Sequence, residues 1–297
     1  MSETRLDIGC DIRELSVWSR SFCVLAQDPK EYTEDVLPTP KFLEKLRQSD
    51  IDVFVFRQRT WLFDWFDSDS PFKVKMHKDN VALLDLPEVD GFEYWFRGLK
   101  SETRTALRKA SKSGLETRLV APSEDFALDV WKIYNETPFR QGRKFHHYGM
   151  TIDKVRNYVF NSSNLFIGAF LSEKLVGFAE LAVGEETVLL SQILSLTSAR
   201  TLRINNSLIA KTVEVCASRG LFWIVYGRFG NHPSLDAFKA NNGFVKYEIR
   251  RFYVPLTKKG QVLIWLGLHR ELEDSVPGIL KRVLIPLYYK FGKWRNK

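Results

Sequence analysis

The segment Ser234–Phe244 reads SLDAFKANNGF and has the pattern of a short helix that ends at a glycine. Ser234 has the residue type preferred at an N-cap, and Asp236 in the first turn complements the helix dipole. Gly243 is suited to the left-handed conformation that ends many helices. These features predict one helix, followed by a strand that begins at Phe244.

The position of Lys239 within this segment is unusual. Leu235 and Phe238 are the residues that we expect to bury, and Lys239 directly follows Phe238. A lysine beside a buried anchor is ordinarily solvated. Whether Lys239 is solvated depends on the elements that surround this helix.

Three strand patterns joined by short polar turns lie upstream of the helix, at Asn164–Leu171, Leu175–Val183 and Thr187–Leu196. Strands so close in sequence predict an antiparallel meander. A helical pattern then runs from Ile204 to Gly220, and a strand is predicted at Leu221–Phe229.

The pattern before the meander also alternates between strands and helices. A strand is predicted at Asn80–Pro87, and a helical period with a basic outer face runs from Tyr94 to Gly114. A strand at Leu115–Val120 and a helix from Ser123 follow. Residues Glu136–Gly149 contain proline and two glycines and are predicted to form a long loop.

The sequence predicts a mixed α/β fold (an α+β mixed sheet) in three parts. Residues 1–79 form an N-terminal α/β extension that packs on the core, with a strand at Asp52–Gln58 and an aromatic cluster at Trp61–Phe66. Residues 80–258 form the main domain, and residues 259–297 form a helical, basic C-terminal segment.

The element order over roughly Asn80–Leu256 resembles that of the GNAT acyltransferase superfamily. Asn231 at a strand-to-helix junction, with the residues Asn-Asn-Gly-Phe at 241–244, is similar to the region that ends GNAT domains. The resemblance implies a GNAT-type fold with an N-terminal extension and C-terminal helices. It also implies an enzyme that transfers an acyl group to an amine.

The resemblance gives Lys239 a role. Many GNAT enzymes have a tyrosine four residues before the closing glycine, where this chain has Lys239. The pair Phe238-Lys239 resembles the FemABX branch, whose members transfer amino acids from aminoacyl-tRNA and use such a lysine to stabilise an oxyanion. The basic helix Arg104–Arg118 is also similar to segments of FemABX-like enzymes, although a solvated face explains it equally.

The segment Ser198–Ser207 corresponds to the GNAT loop that binds the CoA pyrophosphate, but arginine and asparagine replace its glycine and small residues. An asparagine-capped loop without a ligand is the alternative interpretation. We expect no tightly bound cofactor, with acyl-CoA as the donor co-substrate and aminoacyl-tRNA as a second possible donor. The resemblance assigns the donor to Arg200, Arg203, Ile204, Asn205, Asn206, Ser207, Asn231 and Phe238.

Acyl transfer to an amine also requires a group that accepts the amine proton. Glu180 fits if it faces the cleft, and it is an ordinary strand residue if it faces outward. His147 is the alternative base, since histidine titrates near neutral pH. Tyr226 is a further catalytic candidate near the predicted cleft, or a core tyrosine with a satisfied hydroxyl.

The loop Glu136–Gly149 is predicted to border the acceptor, a small-molecule or peptide amine. Arg140 and Arg143 suit an anionic acceptor, and Tyr148 and Gln192 complete the predicted acceptor site. The histidines of the chain lack ligand spacing, so no metal site is predicted. A GNAT-fold binding protein that has lost catalysis is the alternative to an enzyme.

The composition favours a cytoplasmic protein. Three cysteines without a C-x-x-C pair predict neither a disulfide framework nor a cysteine zinc site. The net charge is +8, and residues 281–297 hold six basic residues and no acidic one. The segment Pro277–Lys297 has the composition to contact an anionic membrane surface or nucleic acid, or to be a solvated helix face.

Overall fold

The computed structural model describes residues 10–17, 20–27, 32–33, 38–59, 74–140, 143–230 and 232–267. The predicted aromatic cluster, Asn231 and the segment beyond residue 267 lie outside these ranges. The helices are α1 Pro40–Gln48, α2 Gly91–Gly98, α3 Ser101–Lys112, α4 Glu124–Asn135, α5 Ile152–Asn161, α6 Ile204–Ser218, α7 Pro233–Asn241 and α8 Lys258–Trp265. The strands are β1 Asp11–Val17, β2 Arg20–Gln27, β3 Val53–Gln58, β4 Lys75–Asp85, β5 Leu115–Val120, β6 Phe139–Arg140, β7 Arg143–Lys144, β8 Leu165–Leu171, β9 Lys174–Val183, β10 Thr187–Ser195, β11 Trp223–Val225 and β12 Val245–Pro255.

Ten of the described strands form one mixed sheet, in the order β1-β2-β3-β12-β4-β11-β10-β9-β8-β5. The pairs β2/β3 and β10/β11 are parallel and the others are antiparallel. Strands β6 and β7 form a separate small hairpin. The large mixed sheet confirms the predicted fold class, and the antiparallel order β8-β9-β10 confirms the predicted meander.

The sheet opens between β10 and β11. The two strands pair only from Thr187 to Leu189, opposite Trp223–Val225. Beyond this point β10 stays with β9, where a register shift leaves Ser191 without a partner. The chain that follows β11 stays with β4, because Tyr226 N–H donates to the Ala82 carbonyl. The result is a gap between the two strands beyond Leu189.

Helices cover both faces of the sheet beside this gap. Helices α2, α3 and α6 pack on one face around a cluster that includes Trp95, Leu208 and Val213. Helices α4 and α5 pack on the other face around Tyr134 and Phe178. The gap therefore connects two faces that carry different sets of side chains.

The N-terminal strands continue the sheet, because β3 pairs along β12 from Gln58 to Val53. Asp52 joins this region to α8, since it accepts hydrogen bonds from Val24 N, Thr257 Oγ1 and Lys259 Nζ at 3.0, 2.8 and 2.8 Å. The predicted boundary between residues 79 and 80 falls within β4. How the chain divides into domains stays a prediction.

The structure corrects several predicted elements. The helical pattern from Tyr94 to Gly114 forms two helices, because Leu99 and Lys100 are extended, with ψ of 149° and 151°. The strand predicted at Leu221–Phe229 is shorter, since only Trp223–Val225 pairs as β11. The sequence pattern does not predict α5, although Thr151 caps it by accepting from Lys154 N.

The helix predicted within Ser234–Phe244 is confirmed, except for its first residue. It begins at Pro233, so Ser234 is not the N-cap; the N-cap position is His232. Proline suits the first helical position because the missing N–H is unpaired there anyway. Gly243 has φ +90° as predicted, and a Cβ at that position would lie 3.1 Å from Trp95 Nε1.

Candidate active site

Lys239 is the buried residue of α7. It is 2% exposed, whereas Leu235 and Phe238, which the pattern predicts to be buried, are partly exposed. Its ammonium donates to the Arg228 carbonyl at 2.8 Å. The side chain therefore points at the loop that leaves β11, beside the gap in the sheet.

Aromatic rings form the surroundings of this ammonium. Lys239 Nζ lies 4.8 Å from the ring centroid of Tyr226 and 5.6 Å from that of Phe229. Ring faces attract a cation but accept no ordinary hydrogen bond. Among the described residues, the Arg228 carbonyl is the only hydrogen-bond acceptor of the ammonium.

The electrostatics of Lys239 follow from this setting. Burial lowers its pKa from 10.5 to about 8, and Asp236 opposes the shift. Lys239 is therefore mainly a cation at neutral pH, with two N–H groups that lack a described acceptor. A cation held this way is placed to interact with negative charge that enters the gap.

The loop that accepts from Lys239 is anchored by buried charges on its other side. Arg228 Nε lies 2.7 Å from Asp79 Oδ1. The other oxygen of Asp79 lies 3.0 Å from Arg57 Nε and 2.9 Å from Arg251 Nε. These ion pairs fix the loop to β3, β4 and β12, and thereby fix the carbonyl that holds the ammonium.

Tyr226 presents its ring rather than its hydroxyl to Lys239. The ring also packs 5.7 Å from that of Phe244, and burial raises the pKa of the phenol. This geometry makes Tyr226 part of the wall around the cation. Its predicted catalytic role stays a prediction.

His147 and Gln192 meet on the opposite face of the sheet, on the predicted acceptor side. Gln192 Nε2 lies 2.8 Å from His147 Nε2, and Gln192 Oε1 lies 2.7 Å from the Tyr134 hydroxyl. The His147 ring stacks on Tyr134 with centroids 4.3 Å apart. Burial, with smaller effects of His146 and Arg140, lowers the pKa of His147 to about 4. The imidazole is neutral at pH 7.

Glu180 is 5% exposed, and both of its carboxylate oxygens are occupied. One oxygen accepts from the Tyr158 hydroxyl. The other accepts from Asn164 Nδ2 at 2.7 Å and from Ser162 Oγ at 3.4 Å. Glu180 thus faces the end of α5, and its lone pairs bind protein donors.

The predicted acceptor residues of the α4–α5 connection have different surroundings. Arg140 donates to the Ser195 carbonyl at 2.8 Å and to the Ile133 carbonyl at 2.7 Å, so it joins α4 to the free part of β10. Tyr148 is exposed. The side chain of Arg143 lies outside the described residues.

The loop that is predicted to bind the acyl donor forms a short 3₁₀ helix, Thr197–Leu202, before α6. Arg203 has left-handed backbone angles, with φ 56°, at the N-cap position of α6, and both Arg200 and Arg203 are exposed. Ile204 is 1% exposed and packs in the core, so its side chain is not available to a ligand.

The remaining residues that are predicted to bind the acyl donor lie where α6 meets the end of α7. Asn206 Nδ2 donates to Asn242 Oδ1 at 3.1 Å, and Asn205 and Ser207 are partly buried beside it. Phe238 packs against the core cluster below α6. A cavity of about 490 Å³ adjoins this region, lined by Ser101, Glu102, Thr105, Ala106, Lys109, Thr201 and Arg203.

Sequence reasoning missed three residues that bind predicted site residues: Tyr134 binds Gln192, Tyr158 binds Glu180 and Arg228 binds Lys239. Tyr134 and Tyr158 lie on helices whose patterns show only amphipathic spacing, and α5 is not predicted at all. The signal available for α5 was Thr151 followed by Asp153 in the first turn. Arg228 acts through its backbone carbonyl, which a sequence does not reveal.

Three solved structures share this fold over most of their length. The C-terminal domain of a putative lysylphosphatidylglycerol synthetase from Agrobacterium fabrum is 15% identical with TM-score 0.55, and 89% of each chain is covered. L-PGS from Bacillus licheniformis is 11% identical with TM-score 0.53, covering 89% of this chain and 87% of its own. FemX is 10% identical with TM-score 0.52, covering 89% and 92%.

These similarities establish a GNAT-like fold that includes FemABX-like relatives, as the sequence pattern predicts. At 10–15% identity they concern the fold alone. No family model matches the sequence, and no curated protein matches it.

In the described part of the chain, no helix is long and apolar enough to cross a membrane. No group of three potential metal ligands lies together in those same ranges.

Proposed function

We propose that this protein transfers an acyl or aminoacyl group from a CoA thioester or an aminoacyl-tRNA to an amine. The observation that carries the proposal is the cationic side chain of Lys239, buried beside the gap between β10 and β11 with one described hydrogen-bond acceptor. The GNAT-like fold supports it, since the fold is shared with proteins named as synthetase and FemX.

The chemistry explains why such a cation matters. An amine that attacks an ester or thioester carbonyl forms a tetrahedral intermediate with a negative oxygen. A cation that is already desolvated and in place stabilises this oxygen without reorganising solvent. Removal of one such donor typically slows an enzyme about 100- to 1000-fold.

The cavity between α3 and the start of α6 is the proposed site for the phosphate-bearing part of the donor. Lys109 and Arg203 supply positive charge to it, and Ser101, Thr105 and Thr201 supply hydroxyl groups. Both CoA and tRNA carry phosphate, so this chemistry fits either donor. The acceptor amine would approach from the opposite face, where His147 and Gln192 lie.

Donor turnover is the experiment that tests the function. Acetyl-CoA and a mixed pool of aminoacyl-tRNA would be incubated with the protein, and release of free thiol or deacylated tRNA would be measured with and without a panel of primary amines. We expect amine-dependent turnover of one donor. Lys239→Ala should lower the turnover rate about 100-fold or more while donor affinity stays within about twofold.

Lys246→Ala is the matched control, because Lys246 is exposed on β12. It removes the same charge a short distance along the chain and should leave turnover unchanged. Equal turnover by Lys239→Ala and the control would contradict the role of Lys239. Saturable donor binding without turnover of either donor would instead indicate a binding protein of this fold.

A further inference from the structure

The cavity between α3 and the start of α6 contains a carboxylate as well as positive charge. One face of α3 lines it with residues at the helical spacing i, i+3, i+4 and i+7, namely Glu102, Thr105, Ala106 and Lys109. The segment before α6 contributes Thr201 and Arg203. Because Ala106 has a small side chain, the middle of the α3 face stays open. The cavity therefore has room for a ligand between its charged groups.

The charged groups of this cavity are not paired with one another. Among the described residues, no hydrogen bond or ion pair involves the side chains of Glu102, Lys109 or Arg203, and all three are exposed. Glu102 lies in the first turn of α3 and Lys109 in the last, about 10 Å farther along the axis. The carboxylate and the cations are therefore available to two different parts of one ligand.

The backbone of Arg203 indicates that its side chain has a role. Its φ of 56° and ψ of 34° lie in the left-handed region, which glycine adopts without steric cost and other residues rarely adopt. Arg203 N–H donates to the Arg200 carbonyl at 3.3 Å, and Asn206 N–H donates to the Arg203 carbonyl at 3.0 Å. Residues held in this region cluster at ligand sites. The arginine is thus a candidate for direct contact with a ligand.

Helix α3 is held in place by contacts that do not use the lining side chains. Thr103 Oγ1 donates to the Asn241 carbonyl at 3.1 Å, and the Arg104 guanidinium donates to the Arg97 carbonyl at 2.9 Å. The lining residues therefore project from a fixed helix. Preformed cavities with a few polar groups are typical ligand sites.

We propose that this cavity binds a ribonucleotide, with Lys109 and Arg203 on a phosphate and Glu102 on the ribose 2′-hydroxyl. Lysine and arginine are the usual phosphate ligands, and a carboxylate that accepts from a ribose hydroxyl recurs in nucleotide sites. The proposal deepens the proposed function and rests on it, because CoA and tRNA both present phosphate beside a free 2′-hydroxyl. Glu102 repels phosphate and binds ribose, so it selects ribonucleotides over deoxyribonucleotides.

Binding of nucleotide fragments to the full-length protein, without acyl group or amine, tests the proposal. The probes are adenosine 3′,5′-bisphosphate, the nucleotide end of CoA, and the trinucleotide CCA, the end of tRNA, each beside its 2′-deoxy counterpart. Isothermal titration calorimetry gives each Kd. We expect at least one ribonucleotide probe to bind, with its deoxy form about tenfold weaker. The probe that binds identifies the donor class. Binding of neither probe, or equal Kd values of the ribo and deoxy forms, would overturn the proposal.

Glu102→Ala tests the ribose contact. It should bring the Kd values of the ribo and deoxy probes within about twofold of each other, because the acceptor of the 2′-hydroxyl is lost. Glu93→Ala is the matched control, since Glu93 is an exposed glutamate of α2 outside the cavity lining. It should keep the tenfold difference. A deoxy penalty that persists in Glu102→Ala would refute the role of Glu102.

Arg203→Gly tests the phosphate contact with little risk to the fold, because glycine suits a φ of 56°. It should weaken the ribo and deoxy probes alike, by about tenfold, without lowering the melting temperature. Lys112→Met removes an exposed cation of α3 outside the lining and should leave both Kd values unchanged. Normal nucleotide binding by Arg203→Gly would contradict the proposal. If donor turnover were nevertheless observed, the proposed function would stand and only this inference would fail.

Discussion

Lys239 and Glu180 are buried to nearly the same degree, at 2% and 5% exposure, but their surroundings differ. Three protein donors surround the Glu180 carboxylate. The Lys239 ammonium has one described carbonyl acceptor and two aromatic ring faces. Burial alone therefore does not distinguish a charge that the protein saturates from one that keeps hydrogen-bonding capacity for a ligand.

The difference lies in unused hydrogen-bonding capacity. A saturated buried charge stabilises the groups that bind it and has nothing left for a substrate. An unsaturated buried charge costs stability, and proteins keep such strain mainly at functional sites. Substitutions at the two residues should therefore change stability in opposite directions.

Glu180→Ala gives the largest expected effect. It leaves Tyr158, Asn164 and Ser162 as buried donors without their acceptor and should lower the free energy of unfolding by about 3 kcal/mol or more. Urea denaturation followed by circular dichroism measures this loss. Glu116→Ala is the control, since Glu116 is a strand glutamate with 70% of its side chain exposed. Equal losses in the two variants would show that the buried contacts are not stabilising.

Lys239→Met should have a smaller effect of opposite sign. Methionine fills a similar volume without a charge, so the free energy of unfolding at pH 7 should rise by about 1 kcal/mol. The pKa of Lys239 is about 8 in the folded state and 10.5 in the unfolded state. The destabilisation caused by burying the cation is therefore fully present below pH 8. The gain in Lys239→Met over the wild type should shrink between pH 8 and pH 10.5.

Parallel denaturation series at pH 7 and pH 10 measure that gain, with Lys246→Met as the exposed control. A lower stability of Lys239→Met at pH 7 would mean that the ammonium is satisfied in the fold. The contrast between the two buried charges would then fail.

The sequence predicts the sheet better than it predicts the site. The meander and α7 are found from strand alternation and from Gly243, because these signals are local. The break at Leu99 is not found, because helical spacing continues through it and Arg104 compensates by donating to the Leu99 carbonyl. A cap that a long side chain such as Arg104 provides leaves no signal in the local hydrophobic pattern.

The sequence proposes candidate site residues by type, but it does not predict how they pair. The pattern leaves the face of Glu180 open, and only the position of Tyr158 on α5 shows where the carboxylate points. The pairing of His147 with Gln192 joins positions 45 residues apart. The burial of Lys239 depends on how α7 rotates on the loop from Tyr226 to Phe229, which follows from tertiary packing.

The pH dependence of donor turnover tests the central claim most directly. If the charged form of Lys239 stabilises the oxyanion, the rate of the wild type corrected for uncatalysed hydrolysis should fall as pH rises through about 8. Lys239→Arg keeps its charge throughout this range, so any activity that it retains should not show that fall. A wild-type rate that rises through pH 8 relative to that of Lys239→Arg would mean that the uncharged Lys239 amine acts as a base, and it would contradict the account.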